Sequence, residues 1–396
     1  MVGVKQEVRV GLIGYKFMGK AHSLAYRNVP FYFDTEAIPV MQAVAGRNEE
    51  DVKKAAQKMG WASYETDWNR LIERDDIDLI DIVTPNNTHA QMAIAAAEAG
   101  KHVICEKPLA LTLEDAYQMY EAVQKNQVVH MICHNYRFAP AVQFAKKLIE
   151  EGKLGKIRHI RATYLQDWII DPEFPLTWRL QKETTGSGTL GDIAAHSIDL
   201  ARFLVGEPKE LVGMMDTFIK ERPLVAAEDG LSAKASGTEM GEVTVDDSCA
   251  FLVHFENGAT GVFEATRLAG GNRNGNRFEI NGEKGSIRWD LENMNNLKVY
   301  FVDDEEGLQG FRTINCTEEH HPYAGQYWPA GHIIGYEHTF INLFTQLMNG
   351  IAKGESPKPN FEDGLRNQAV LHAVEQSVKR KAWVEIAEFL PKELQN

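Results

Sequence analysis

The strongest constraint on the fold is an alternation in the first third of the chain. Short apolar runs of β character at 8–14, 38–45, 78–84 and 102–105 are separated by helical stretches of about ten residues. The helical patterns run from the turn at 15–19 to about 27, then over 49–59 and 88–100. A further helix (113–126, opened by Thr112) and a further β run (128–134) extend the series. Strands alternating with helices in this way predict βαβ units, a parallel sheet and right-handed crossovers. The run Val103-Ile104-Cys105 ends in Glu106-Lys107-Pro108. Proline supplies no strand N–H and stops the strand. Glu106 and Lys107 are therefore expected at the carboxyl end of a strand, where open α/β sheets place their ligands. The plainer alternative for Lys107 is a surface ammonium.

The first turn carries Gly14-x-Lys16-Phe17-Met18-Gly19 between a strand and a helix. That order fits a dinucleotide site, in which the helix N-terminus faces a pyrophosphate. The match is incomplete, because Lys16 stands where a second glycine normally lets backbone approach the phosphates. The second β run ends Ala45-Gly46-Arg47 without the acid that binds an adenosine 2′-OH. Arg47 could pair with a 2′-phosphate, or stack on adenine, or face solvent. The third run ends Thr84-Pro85-Asn86-Asn87-Thr88-His89, a turn positioned to line ribose or nicotinamide, with His89 at the start of the next helix.

Composition narrows the class. The chain has 396 residues, 44% hydrophobic and 25% charged, which predicts two domains with sizeable cores. A net charge of −14 argues against nucleic acid or an anionic membrane as partner. Cys105, Cys133, Cys249 and Cys316 are scattered without metal-ligand spacing, so no metal is expected and the thiols read as reduced and cytoplasmic. Neither a signal peptide nor a run approaching roughly 18 apolar residues is seen.

Beyond a boundary placed near residue 130 the pattern changes. After a helix at 141–151 and a strand at 156–166 comes an aromatic loop holding Trp168, Trp178 and Arg179. Glycines 186, 188 and 191 then lead into a helix through about 204 that carries Asp192 and His196. β runs follow at 211–219, 247–255, 259–267, 277–281, 285–290 and 298–302, with helices at 332–352 and 361–381. Residues 220–245 read as a long polar surface loop. The expected domains are 1–130, binding the dinucleotide, and 131–396, an α+β domain with an open, mostly antiparallel sheet.

Asp192 and His196 stand four apart, so on an α-helix both point the same way. Histidine titrates near neutrality and a carboxylate can orient it, which suits proton transfer. A capping aspartate and a buried, hydrogen-bonded histidine are the plainer alternative. Lys107 adds the positive charge that a developing alkoxide requires.

Together GLIGYKFMGKAH, TPNNTH, CEKPLA and GSGTLGDIAAHSIDLARFLVG resemble the Gfo/Idh/MocA oxidoreductases, in this order and over nearly the whole chain. The resemblance implies an α/β protein with an N-terminal Rossmann domain, NAD or NADP as cofactor, and a homodimer or homotetramer built on the open sheet. It implies Lys107, Asp192 and His196 as the catalytic set, and a sugar, anhydrosugar or inositol oxidised at a secondary hydroxyl. Glu106 is expected near the nicotinamide ribose or holding Lys107. Tyr136, Arg137, Trp168, Trp178, Arg179 and His332 are the candidate substrate contacts, since aromatic faces and polar groups suit a polyhydroxylated ring. Two other readings stay open: a glycoside hydrolase using transient ring oxidation, and a non-catalytic cofactor sensor.

Overall fold

The computed structural model describes residues 5–227 and 234–395. The chain divides into two compact units, 1–138 with 335–365, and 139–334 with 366–396. The first unit begins β1 (Gln6–Ile13), α1 (Phe17–Tyr32), β2 (Ala37–Ala45), α2 (Glu49–Met59), β3 (Ser63–Glu65) and α3 (Trp68–Ile72). It continues β4 (Leu79–Ile82), α4 (His89–Glu98), β5 (His102–Cys105), α5 (Leu113–Lys125) and β6 (His130–Ile132). Strand order is β3-β2-β1-β4-β5-β6, with every pairing parallel. The expected Rossmann sheet is therefore present. Its order reverses between β1 and β4, which opens a crevice at the strand ends beside both following turns.

Local chemistry accounts for these elements. Asn48 accepts from the Asp51 N–H at 3.1 Å to open α2, and Gly60, at φ +81°, closes it. Thr112 caps α5 in the same way through the Asp115 N–H. Leu79, Ile80 and Ile82 are wholly buried, as a strand covered on both faces requires. Asp81, between Ile80 and Ile82, is the exception and is equally buried. The short elements β3 and α3 lie below the length at which periodicity can be read.

The second unit comprises α6 (Pro140–Glu150), β7 (Ile157–Leu165), α7 (Lys182–Thr185), α8 (Ala195–Leu204), β8 (Pro208–Asp216), β9 (Glu221–Ala227) and β10 (Lys234–Glu242). Next come β11 (Ser248–Phe255), β12 (Thr260–Thr266), β13 (Gly275–Gly282), β14 (Gly285–Asp290), β15 (Asn296–Phe301) and β16 (Arg312–Asn315). Helix α9 (Tyr336–Lys353) belongs to the first unit, α10 (Phe361–Arg380) begins there and continues into the second, and β17 (Val384–Glu385) ends the second unit's sheet. That nine-stranded sheet runs β16-β15-β14-β13-β7-β12-β11-β8-β17. Only its β7–β12 pair is parallel, so the sheet is mostly antiparallel as expected.

Two expectations are corrected. Residues 220–245 are not a plain loop: β9 and β10 form an antiparallel pair, with 228–233 outside the described residues. Alternation in the sequence is poor there, and the pairing between the two strands defines them. The helix carrying Asp192 and His196 is also not uniformly α. Leu190–Ala194 form a π-helical turn that passes into α8. Asp192 sits in that turn and His196 in α8, so the α-helical spacing argument does not transfer unchanged.

Candidate active site

In the first unit, the turn after β1 is shaped by two glycines. Gly14 has φ +109°, and a Cβ there would meet Val83 Cγ2 at 2.9 Å. A Cβ on Gly19 would stand 2.5 Å from the Gly14 carbonyl oxygen. Both close approaches therefore need glycine. Lys16 is the exposed N-cap of α1, so its position imposes no such demand. The first turn of α1 has no side-chain cap and no acidic residue. Its N–H groups and dipole suit an anion such as a pyrophosphate. Phe17 is exposed, Met18 is half-buried, and Arg47 is exposed at the end of β2.

The turns after β4 and β5 are tied together. His89 is fully buried, with Nε2 2.9 Å from the Thr84 carbonyl and Nδ1 3.1 Å from that of Pro108. Burial pushes its pKa down, against the pull of those carbonyls. His89 thus acts as a strut between turns, with both nitrogens facing protein. Thr84 Oγ1 lies 2.6 Å from Thr88 Oγ1, and Pro85 and Asn86 are half-buried in the same turn. Glu106 is buried, and its Oε2 accepts the Lys107 peptide N–H at 3.1 Å. The Lys107 side chain is only partly covered.

In the second unit, Asp246 organises the approach to α8. Its carboxylate accepts from the Gly188 N–H at 2.7 Å, the Leu190 N–H at 2.8 Å and the Thr189 hydroxyl at 2.5 Å. A Cβ at Gly188 would fall 1.8 Å from the Asp246 carbonyl oxygen, which is why that loop is small. From the clasped turn, Asp192 projects into an ion pair with Arg267, which follows β12. The Arg267 side chain is 1% exposed and that of Asp192 37%. The Arg267 guanidinium also lies 5.3 Å from the Trp168 ring centre. His196 is buried, its ring 6.0 Å from that of Tyr164.

Residues 8–134 match the oxidoreductase family with an NAD-binding Rossmann fold, and residues 142–288 match the GFO/IDH/MocA C-terminal domain. Levoglucosan dehydrogenase of Pseudarthrobacter phenanthrenivorans is 46% identical over 388 residues, covering 97% of this chain and 99% of that protein. The chain belongs to the GFO/IDH/MocA oxidoreductase family. Myo-inositol 2-dehydrogenase of Thermotoga maritima is 27% identical, over 97% of this chain and all of that one. A solved levoglucosan dehydrogenase in complex with NADH superposes with a TM-score of 0.91 at 45% identity, covering 96% of this chain and 99% of that one. The family, the NAD-binding fold and the oxidoreductase class expected from the motifs all hold.

As a family member, the chain has a turn after β1 that suits a dinucleotide: glycines that let Gly14, Gly19 and Val83 pack closely, beside an uncapped helix start. Other expected residues are placed as follows. Arg137 is in a buried ion pair with Asp363 at 3.3 Å, and the Tyr136 ring lies 6.3 Å from that of Tyr336, both within the first unit. Trp168 packs on Phe174 and donates to Gln166 Oε1 at 2.9 Å. Arg179 stacks 4.3 Å over Trp178. His332 lies in an exposed loop with Nδ1 2.8 Å from the Pro329 carbonyl.

Sequence reasoning missed Arg267, Asp246, Asp81 and His22. Asp81 left a trace as a lone acid between apolar neighbours in a strand. Asp246 left one as half of an Asp-Asp pair whose two carboxylates both accept backbone N–H groups. Arg267 left none, because its partner lies 75 residues away.

Proposed function

We propose that this enzyme oxidises a secondary hydroxyl of an anhydrosugar, with levoglucosan as the first candidate and sugars or inositols as the wider class. The observation that carries the reading is the 46% identity to levoglucosan dehydrogenase, which spans 97% of this chain and 99% of that protein. When bound, the nicotinamide supplies the hydride acceptor. On this reading His196 takes the hydroxyl proton, Asp192 orients it, and Lys107 supplies positive charge to the developing alkoxide. Trp168, held between Phe174 and Arg267, offers a ring face to a sugar, with Trp178 and His332 as further contacts. NAD is the favoured cofactor because the similar solved enzyme carries NADH, while exposed Arg47 leaves room for NADP.

The proposal includes a homodimer or homotetramer through the outer face of the nine-stranded sheet. Met214, Leu252 and Val262 are exposed on neighbouring strands of that face, and register places Leu252 beside both Val212 and Val262. Such a stripe supports burial against a second copy. The proposal also places the enzyme in the cytoplasm, since all four cysteines are buried thiols. Among the described residues no helix is long and apolar enough to cross a membrane.

The deciding experiment is a screen of levoglucosan, monosaccharides and inositols with NAD and NADP in parallel, following reduced nicotinamide by absorbance. Reduction with levoglucosan or a related polyol supports the reading. Absence of reduction with every polyol and both cofactors sinks it.

A further inference from the structure

Beneath the Glu106–Lys107 turn, the first unit buries a chain of charged groups to which hydride transfer assigns no role. His22, on the buried face of α1, and Asp81, in β4, are both fully buried. The two Asp81 oxygens lie 2.9 and 3.1 Å from His22 Nδ1, and Glu106 Oε1 lies 2.9 Å from His22 Nε2. The Tyr26 hydroxyl donates to Asp81 at 2.9 Å. The rings of Phe340 and Phe344 of α9 close the site at 5.3 and 5.0 Å from the imidazole. Ligand-type atoms of His22, Glu106 and Cys133 lie within 4.8 Å of one another.

The geometry selects one chemical state. A neutral imidazole carries a single N–H, which would leave a carboxylate facing a nitrogen lone pair. With a carboxylate on each nitrogen, both nitrogens donate and the ring is an imidazolium. Burial is the strongest single influence and opposes that charge, but Asp81 and Cys133 acting together raise the His22 pKa well above its ordinary 6.5. An imidazolium has no lone pair for a metal, and burial pushes the Cys133 thiol up to about 12. With each His22 nitrogen 2.9 Å from a carboxylate oxygen, the cluster forms an ion chain.

We propose that His22 is a positioning residue for Lys107. Its imidazolium ties Asp81 of β4 to Glu106 at the end of β5, and Glu106 in turn holds the Lys107 peptide N–H. A carboxylate hydrogen-bonded on both oxygens cannot rotate, so the turn that presents Lys107 is clamped from inside. The catalytic consequence rests on the role given to Lys107 above; the clamp itself does not.

The test uses the full-length enzyme with His22→Gln and, as the milder variant, Asp81→Asn. Two measurements are made: hydrogen exchange at the Lys107 amide, and steady-state kinetics with levoglucosan and NAD beside NADH affinity by fluorescence. The expected result is Lys107 amide exchange faster by about tenfold or more. Turnover should fall about ten- to a hundredfold, with KM and NADH affinity within about threefold of wild type. A Lys107 amide protected as in wild type in a folded variant overturns the clamp, whatever the turnover. So does a stoichiometric metal ion found by elemental analysis of the purified wild-type protein. Lys107→Met separates the two claims: if it keeps full turnover, the role of Lys107 fails, while amide exchange in the His22 variant still decides the clamp.

Discussion

The two units each build an ion pair around a carboxylate, and they do so in opposite ways. In the first, Asp81, His22 and Glu106 are sealed from water, and each His22 nitrogen meets a carboxylate. In the second, Arg267 is buried but Asp192, within a π-helical turn, keeps over a third of its side chain exposed. A sealed ion chain has its charges committed to one another and serves to hold backbone in place. A half-open pair keeps its carboxylate accessible while the buried cation fixes its direction. The difference separates groups committed to one another from a carboxylate that stays open to solvent.

The largest break in this contrast is expected at the groups proposed to touch substrate. Lys107→Met or His196→Ala should cut turnover by about 10² to 10⁴, leaving NADH affinity within a few-fold. Stopped-flow turnover beside fluorescence titration checks both halves. Next comes the half-open pair. Arg267→Met should lower turnover by about ten- to a hundredfold, and Arg267→Lys should recover part of it, because lysine keeps the charge but not the planar stack over Trp168. Equal loss in both variants would show that the guanidinium plane, rather than its charge, directs Asp192.

A third test reads the sealed chain through pH. His22 has a raised folded pKa, so its stabilisation is complete below the ordinary 6.5 and is lost as pH rises toward the folded value. His130 works in the other direction. Burial lowers its pKa to about 4, against the pull of Asp363, so stability falls as pH drops from 6.5 toward 4. Melting temperature against pH should therefore decline on both sides in wild type, and His22→Gln should flatten only the alkaline side. The smallest effect is expected at a charge that is neither sealed nor paired: Arg47→Asp should shift preference from NADP toward NAD by about tenfold, as the ratio of kcat/KM values.

Much of the fold was legible because its signals are local. Helix α2 follows from Asn48 and Gly60, and β5 follows from an apolar run stopped at Pro108. The order of motifs likewise placed the chain in its family. Where the local signal failed, pairing across strands had taken over. β9 and β10 are defined by their pairing with each other, and the π-helical turn at Asp192 is held by Asp246, more than fifty residues along.

By itself, the sequence determined the βαβ series and the glycine turn after β1, because each depends on neighbours within a turn or two. Only the tertiary structure decided the setting of the polar side chains. It made His89 a strut, committed Arg137 to Asp363, set Arg267 against Asp192 and placed His22 between two carboxylates. Charge and orientation depend on which groups share a low-dielectric space, and that is settled by contacts distant in the chain.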